Sequence, residues 1–435
     1  MKKVITYGTF DLFHNGHYNM LARAREYGDY LIVGVTGDTY DIGRGKLSVK
    51  DSLATRIENV KRTGLADEII VEEYLGQKIS DINKFDIDTF VIGDDWKGKF
   101  DHIAQYCNLV YLERTKGISS TQLREETFDK YNIGIITDQK DDNQLVKEAK
   151  LVSGFQVTGV YSEDRETASE FYKEYELENL YGSTDSMFDD VQIVYIRTSL
   201  AKRYDYIKKA LEADKHVICD VPFALEADRQ KELAEIAEER NLILLNNIKL
   251  VYIQVFTQLL WMCHAGLIGD IIRVECSVSK QDKKIPHLFN ELMAMSICPI
   301  IKILGTDFDD MECRIIEEGD TVEFGSVVLR YPNCDATINV GNTIRVNNKI
   351  EIIGSKGTIR MGDNWWRANY FELHKTDGSP KQIYNVNFEG NGFKFLIRDM
   401  LNMLQNGRVT SKILSTNEAV KIIEILERLY CSKNC

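Results

Sequence analysis

From Lys3 to Leu245, short apolar runs and amphipathic helical runs take turns almost without exception, and that alternation restricts the fold more than any single residue does. Apolar runs at 3–7, 30–35, 68–71, 89–92 and 109–112 read as strands. Between them, apolar residues at helical spacing predict helices at 17–27, 52–63, 77–84 and 100–106, with another at 119–128. Strand and helix in strict succession make βαβ units, hence a parallel sheet covered on both faces. The pattern restarts after a very short link at 129–131. Strands are then expected at 132–136, 155–161, 191–196, 216–220 and 242–245, a second doubly wound sheet. From about Ile271 the texture changes. Runs at 274–279, 321–330, 336–340, 344–353, 357–361 and 370–375 predict a largely antiparallel sheet, closed by an amphipathic helix at 417–430. The expected organisation is α/β in three domains: a Rossmann-like domain at 1–130, a second at 131–265, and an open-sheet α+β domain at 266–435.

A net charge of −13 argues against a nucleic-acid partner, which selects a basic face. No run of about 18 apolar residues exists to span a membrane, and the Met-Lys-Lys start leads into a strand rather than a signal core. Nine scattered cysteines without Cys-x-x-Cys pairs predict reduced thiols in a cytoplasmic protein, not a disulfide or metal framework.

Chemistry concentrates in two segments at the carboxyl ends of strands, where ligands of such sheets sit. The first is Gly8-Thr9-Phe10-Asp11-Leu12-Phe13-His14-Asn15-Gly16-His17. Gly8 and the small Thr9 let backbone amides approach phosphate oxygens. His14 and His17, three apart at a helix entrance, can face one ligand near the positive end of the helix dipole. Imidazoles that donate to a phosphate stabilise charge growing in a phosphoryl-type transition state. Such pairs also serve as structural or metal-binding residues, but no third ligand is close in sequence. The second segment, Arg114-Thr115-Lys116-Gly117-Ile118-Ser119-Ser120-Thr121, brings cations, a glycine and hydroxyls to an expected helix start. Together they read as a nucleoside-triphosphate site. Arg44 and Lys46 stand in a Gly-rich loop that either closes over the phosphates or is simply solvated. Asp11 and Asp94 are candidates for Mg²⁺ or ribose contacts, or for turn caps.

On these motifs, residues 1 to about 127 resemble the cytidylyltransferase superfamily, and within it the bacterial glycerol-3-phosphate cytidylyltransferases. The shared text is Lys2 to Leu12, His-x-Gly-His at 14–17, Gly93-Asp94-Asp95-Trp96-Lys97-Gly98-Lys99-Phe100-Asp101, and Arg114-Thr115 with Gly117-Ile118-Ser119. The resemblance implies that CTP and an alditol phosphate, glycerol 3-phosphate foremost, give a CDP-alditol and pyrophosphate by direct in-line attack. It implies that His14, His17, Lys46 and Arg114 are catalytic. The implied CTP contacts are Gly8, Thr9, Phe10, Asp11, Gly16, Asp94, Thr115, Gly117, Ile118, Ser119, Ser120 and Thr121. It also implies Mg²⁺, and a product destined for a cell-surface polymer such as a teichoic acid or capsule. The acceptor phosphate falls to Arg44, Arg62 and Tyr74. Here the chain departs from the family, since Arg62 lies two residues ahead of the usual arginine and Tyr74 replaces a tryptophan.

Residues from about 132 onward resemble the Gfo/Idh/MocA oxidoreductases through the run 210–219, the passage Gly266 to Ile271, and Ile353 to Ile359. The family's chemical residues do not appear at the matching positions. The glycine loop reads Ile135-Ile136-Thr137-Asp138-Gln139-Lys140-Asp141-Asp142-Asn143, Glu-Lys-Pro is Asp220-Val221-Pro222, and the acid–base segment is Ala294-Met295-Ser296-Ile297-Cys298. NAD(P) is therefore not expected to bind. This half is expected to be a non-catalytic module that dimerises the chain or holds a ligand. The alternative is a bifunctional enzyme whose second half is an active NAD(P)-dependent reductase supplying the polyol phosphate.

Overall fold

The computed structural model describes residues 1–37, 49, 51–73, 77–98, 100–113, 130–140, 144–152, 154–280, 288–319, 321–386, 388 and 390–431. They form two compact units, Met1–Lys130 with Val152–Gly154, and Tyr131–Leu151 with Phe155–Cys435.

The first unit is a parallel sheet of β1 (Lys3–Gly8), β2 (Tyr30–Thr36), β3 (Glu68–Glu72), β4 (Thr89–Gly93) and β5 (Asn108–Leu112), in the order β3-β2-β1-β4-β5. Helix α1 (Asn15–Arg25) and helix α2 (Leu53–Arg62) cover one face. There Leu21, Ala24 and Val60 pack on Val4, Leu31, Val33 and Val91. Helix α3 (Gln77–Phe85) and the 3₁₀ turn Asp101–Gln105 cover the other, through Ile82 and Ile103 against Ile5, Ile32 and Phe90. The order reverses between β1 and β4, so a crevice opens beyond their carboxyl ends, where the His-containing segment begins.

One feature of this unit differs from the sequence reading. The helix expected at 100–106 is the 3₁₀ turn Asp101–Gln105, in which only Ile103 is buried, so no apolar stripe favours a longer α-helix. The helix expected at 119–128 lies outside the described residues.

The second unit begins with a parallel sheet of β6 (Tyr131–Thr137), β7 (Phe155–Tyr161), β8 (Asn179–Leu180), β9 (Ile193–Arg197), β10 (His216–Cys219) and β11 (Leu244–Asn246), ordered β11-β10-β9-β6-β7-β8. The helices that alternate with these strands are α4 (Gln144–Ala149), α5 (Arg165–Glu174), α6 (Thr184–Asp190), α7 (Leu200–Glu212) and α8 (Ala227–Glu239). Helix α9 (Gln254–His264) leads into the last sheet. This is eight-stranded: β12 (Ile271–Ser279), β13 (Asp310–Glu318), β14 (Thr321–Arg330), β15 (Asp335–Gly341), β16 (Lys349–Gly354), β17 (Gly357–Met361), β18 (Tyr370–Lys375) and β19 (Gln382–Asn385). Only β12 and β15 pair in parallel; the other pairs are antiparallel. Helix α10 (Leu288–Leu304) packs on β12 and β15 and against α12 (Thr416–Cys431), while α11 (Phe393–Gln405) packs on α4. The architecture is thus α/β, two parallel Rossmann-like sheets followed by a mixed, mostly antiparallel one.

The strand expected at 344–353 starts only at Lys349. Ahead of it, Ser279 Oγ accepts from Val346 N (3.1 Å) and donates to Val346 O (3.0 Å), and Asn348 Oδ1 accepts from Ser279 N (2.7 Å). Side-chain hydrogen bonds replace the ladder there.

Candidate active site

Beyond β1 the backbone takes an uncommon path. Phe10 and Leu12 both have positive φ (56° and 48°), a region that non-glycine residues enter only when their surroundings hold them there. The holding is visible. Asp51 N donates to Asp11 Oδ1 (2.9 Å) and Leu12 N donates to Asp51 Oδ2 (3.1 Å), a reciprocal staple between two loops. Arg56, fully buried on α2, donates to Thr9 O (2.9 Å), Thr36 O (2.7 Å) and Asp51 O (3.1 Å). One guanidinium therefore ties together the ends of β1 and β2 and the entrance of α2.

This scaffold delivers the chain to His14, the N-cap of α1. Its Nδ1 accepts from Gly16 N at 3.0 Å. An accepting Nδ1 places the proton of the neutral ring on Nε2, so the cap also fixes the tautomer. His17 lies one turn on. Its ring stacks on His14 with centroids 4.0 Å apart and planes 21° apart, and packs beside Phe10 (5.5 Å) and Phe13 (5.4 Å). The two imidazoles are thus a single stacked unit at a helix N-terminus.

A second polar group lines the same edge of the sheet. Glu72 ends β3; its carboxylate pairs with Lys78 of α3 and accepts from Thr36 Oγ1 (3.2 Å). The Lys78 ammonium lies 4.6 Å from the centre of the Tyr7 ring, whose hydroxyl donates to Asp81 (2.9 Å). Tyr7 lies across from Gly34 on β2, where any Cβ would stand 2.2 Å from the ring. Glycine is required there for the tyrosine to lie flat.

Gly8, Thr9, Phe10, Asp11, His14, Gly16 and His17 are accordingly brought to the end of β1, and Asp94 to the 3₁₀ turn Asp94–Trp96 after β4, the adjacent strand. Arg62 is not brought there. It sits in the last turn of α2, toward the amino end of β3, its side chain 72% exposed and bonded to Glu58 (3.2 Å). Arg44, Lys46, Tyr74, Arg114, Thr115, Gly117, Ile118, Ser119, Ser120 and Thr121 lie outside the described residues. Sequence reasoning missed Arg56, Glu72 and Lys78. The signal for Arg56 was an arginine inside the apolar stripe Leu53, Ile57, Val60; for the ion pair there was none, because its partners are brought together only by the sheet.

The second unit's strand order reverses between β6 and β9. There Asp138 Oδ2 accepts from Ser199 N at 2.7 Å, joining the segments that follow the two strands. Asp220, after β10, accepts from Tyr195 Oη (2.9 Å) and Asn247 Nδ2 (2.7 Å). Val221 is buried, as is Cys298 on α10, whose thiol burial pushes well up from its ordinary value.

The sequence comparisons agree with this geometry. The cytidylyltransferase-like family model matches residues 5–126. The glycerol-3-phosphate cytidylyltransferase of Bacillus spizizenii is 55% identical over 126 residues, 29% of this chain and 97% of that protein. The chain belongs to the cytidylyltransferase-like family. A second model, the oxidoreductase family with an NAD-binding Rossmann fold, matches residues 134–248. Human trans-1,2-dihydrobenzene-1,2-diol dehydrogenase is 23% identical over 316 residues, 68% of this chain and 94% of that one. A 3-ketoreductase from Actinomadura kijaniata, solved with NADP, superposes with a TM-score of 0.62 at 19% identity, over 69% of this chain and 97% of its own, a likeness of fold.

The cytidylyltransferase-like unit builds no dedicated metal cage among the described residues: no three His, Cys, Asp or Glu side chains cluster. One Asp11 oxygen accepts the Asp51 amide, and Asp11 is 1% exposed, which suits a loop staple better than an open ligand position. Asp94 is partly exposed at the crevice. That fits Mg²⁺ held through one carboxylate and the substrate's own phosphates. No helix among the described residues is long and apolar enough to cross a membrane.

Proposed function

We propose that the first unit transfers the cytidylyl group of CTP to an alditol phosphate, glycerol 3-phosphate first among them, for a cell-surface polymer such as a teichoic acid or capsule. The stacked pair His14–His17 carries this reading. With Nδ1 engaged by Gly16, the His14 ring presents Nε2–H as a donor beside the N-terminus of α1. An acceptor phosphate oxygen attacks the α-phosphorus in line. The bond from that phosphorus to the bridging oxygen breaks, and pyrophosphate leaves with the electron pair. Charge grows on the α-phosphate oxygens, and donors already oriented toward them need no reorganisation at that moment. Asp94 is the described residue that would hold Mg²⁺, which would supply neutralisation of phosphate charge. Arg114, Ser119, Ser120 and Thr121 hold the outer phosphates, Lys46 bridges the reacting groups, and Arg44 and Tyr74 hold the acceptor. Arg62 takes no part.

The second unit fits a module without hydride chemistry, serving as a ligand-binding or dimerising part. The Asp138 carboxylate stands at the switch point, where a dinucleotide's pyrophosphate calls for neutral amides. The matching of Val221 and the buried Cys298 to the family's acid and base positions supports this reading, since neither side chain suits proton transfer. The residues present do not fit NAD(P).

The decisive experiment is pyrophosphate release from CTP with a panel of alcohol phosphates. Release with an alditol phosphate, reduced about a hundredfold or more in His17→Ala, supports the reading. Unchanged turnover in that variant, or no release with any acceptor, overturns it. NADPH oxidation coupled to a keto-sugar phosphate would overturn the reading of the second unit.

A further inference from the structure

Where the chain leaves β17 and β19 the second unit holds an open polar cavity of about 320 Å³, lined by Asp363, Asn364, Arg367, Asn369, Tyr370 and Asn391 among others. Its chemistry is specific. Three amides and a carboxylate offer paired donors and acceptors of the kind that match hydroxyls. The Tyr370 and Phe388 rings give flat surfaces for C–H groups. Among the described residues the Arg367 guanidinium spends only one long hydrogen bond, to Asn391 Oδ1 at 3.5 Å.

A second cation stands next to this cavity. Lys249 lies in the 3₁₀ turn Lys249–Tyr252, which packs on the 3₁₀ turn Trp365–Arg367. It makes no hydrogen bond or ion pair with any described residue. Two charges face it from that side: Arg367 of the cavity wall, and Glu148 behind the wall, whose carboxylate accepts from Asn391 N (2.6 Å) and Lys394 N (2.9 Å) at the start of α11. Asp220 and Arg197 are the other charges facing it. The anions nearby are already committed, Glu148 to the α11 amides and Asp220 to Tyr195 and Asn247. Burial outweighs them and lowers the Lys249 ammonium below its ordinary value. Its ammonium has the Phe393 ring 6.0 Å away but no anionic partner among the described residues; a largely enclosed cation without a counter-charge is costly, and structures retain one where something else supplies it.

We propose that this cavity, with Arg367 in its wall and Lys249 in the turn packed behind it, binds the phosphate ester of a small polyol. Two cations select an anion, the amides and Asp363 read hydroxyls, and the two rings cover the carbon chain. The ester has two possible sources, a free alditol phosphate or the same group within a CDP-alditol. Naming the polyol as an alditol rests on the proposed activity of the first unit; the site itself does not.

The cavity carries its own reporter, the Trp365–Trp366 pair (ring centres 5.8 Å apart) beside Arg367. The test is Trp emission of the full chain in a Trp96→Phe, Trp261→Phe background, titrated with glycerol 3-phosphate, CDP-glycerol, inorganic phosphate and NADPH. Saturable change with either polyol ester is expected, the tighter of the two naming the source. Arg367→Gln and Lys249→Met should each weaken it at least tenfold while pyrophosphate release stays unchanged. Lys249→Met should also raise Tm, because it removes an enclosed cation that has no anionic partner, whereas loss of a merely structural lysine would lower it. Arg367→Gln, at an exposed residue, keeps the test decisive if the lysine variant misfolds. The inference falls if no polyol ester gives saturation, if both variants bind normally, if inorganic phosphate binds as tightly as the esters, or if NADPH saturates the same signal and loses it on the same substitutions. Binding here without pyrophosphate release would sink the proposed activity and leave this site standing.

Discussion

At the scale of single residues, His14 does two jobs that one substitution can separate. Its ring caps α1 through Nδ1 and offers Nε2–H to the crevice. Asparagine is a good N-cap, its carbonyl oxygen able to accept the Gly16 amide, but it cannot reproduce the imidazole donor. His14→Asn should therefore hold Tm while slowing pyrophosphate release by about a hundredfold or more. His14→Ala should lose the same activity and about 1 kcal/mol of stability besides. Thermal melts alongside turnover check both; equal melting of the two variants would remove the cap from the account. Lys249 gives a pH signature by similar logic. Its folded-state pKa is lowered, so between that value and the unfolded value of about 10.4 the unfolded chain binds the extra proton. Stability contributed at this position thus rises as pH climbs through the window. The Tm advantage of Lys249→Met at neutral pH should shrink in alkaline buffer, and a constant gap would contradict the burial of the charge.

Elements show best what the sequence discloses and what it hides. The strands β1, β2 and β4 and the helix α1 were legible because periodicity and a His-x-Gly-His turn are local signals. The helix α10 and the strand β13 went unread. The burial of α10 runs round nearly all its faces, so it shows no polar stripe, and β13 sits at the edge of its sheet with a mostly exposed pattern. The helix α2 was foreseen, but not what it is for. Its Ser52 cap and Leu53–Val60 stripe are local, whereas Arg56 gains meaning only when Thr9, Thr36 and Asp51 arrive from separate loops. Arg56→Met keeps much of the side-chain volume and removes the donors to three main-chain carbonyls, so about 2–4 kcal/mol of stability should be lost. Since those carbonyls belong to the turns that frame the histidines, KM for CTP should rise together with the fall in urea midpoint. A stability loss with unaltered KM would confine Arg56 to the core.

For the molecule as a whole, the question is whether the first unit depends on the rest of the chain. It has a core on each face of its own sheet, one around Val4, Leu21 and Val33, the other around Ile5, Ile32 and Phe90. A sheet covered on both faces by its own helices leaves no apolar face that another unit must bury. The glycerol-3-phosphate cytidylyltransferases of Bacillus spizizenii and Staphylococcus aureus point the same way, since this chain spans 97% and 98% of their lengths within about its first third. Residues 1–130 expressed alone should therefore fold cooperatively and release pyrophosphate with a kcat/KM within about tenfold of the full chain, as a tenfold change corresponds to only about 1.4 kcal/mol of transition-state free energy. Adding a polyol phosphate that saturates the Trp365–Trp366 signal should change the rate of the full chain if the second unit regulates the first, and cannot do so in the fragment. A fragment that folds but turns over far more slowly would mean that the second unit supplies part of the catalytic site, and the account of two self-sufficient units would fail.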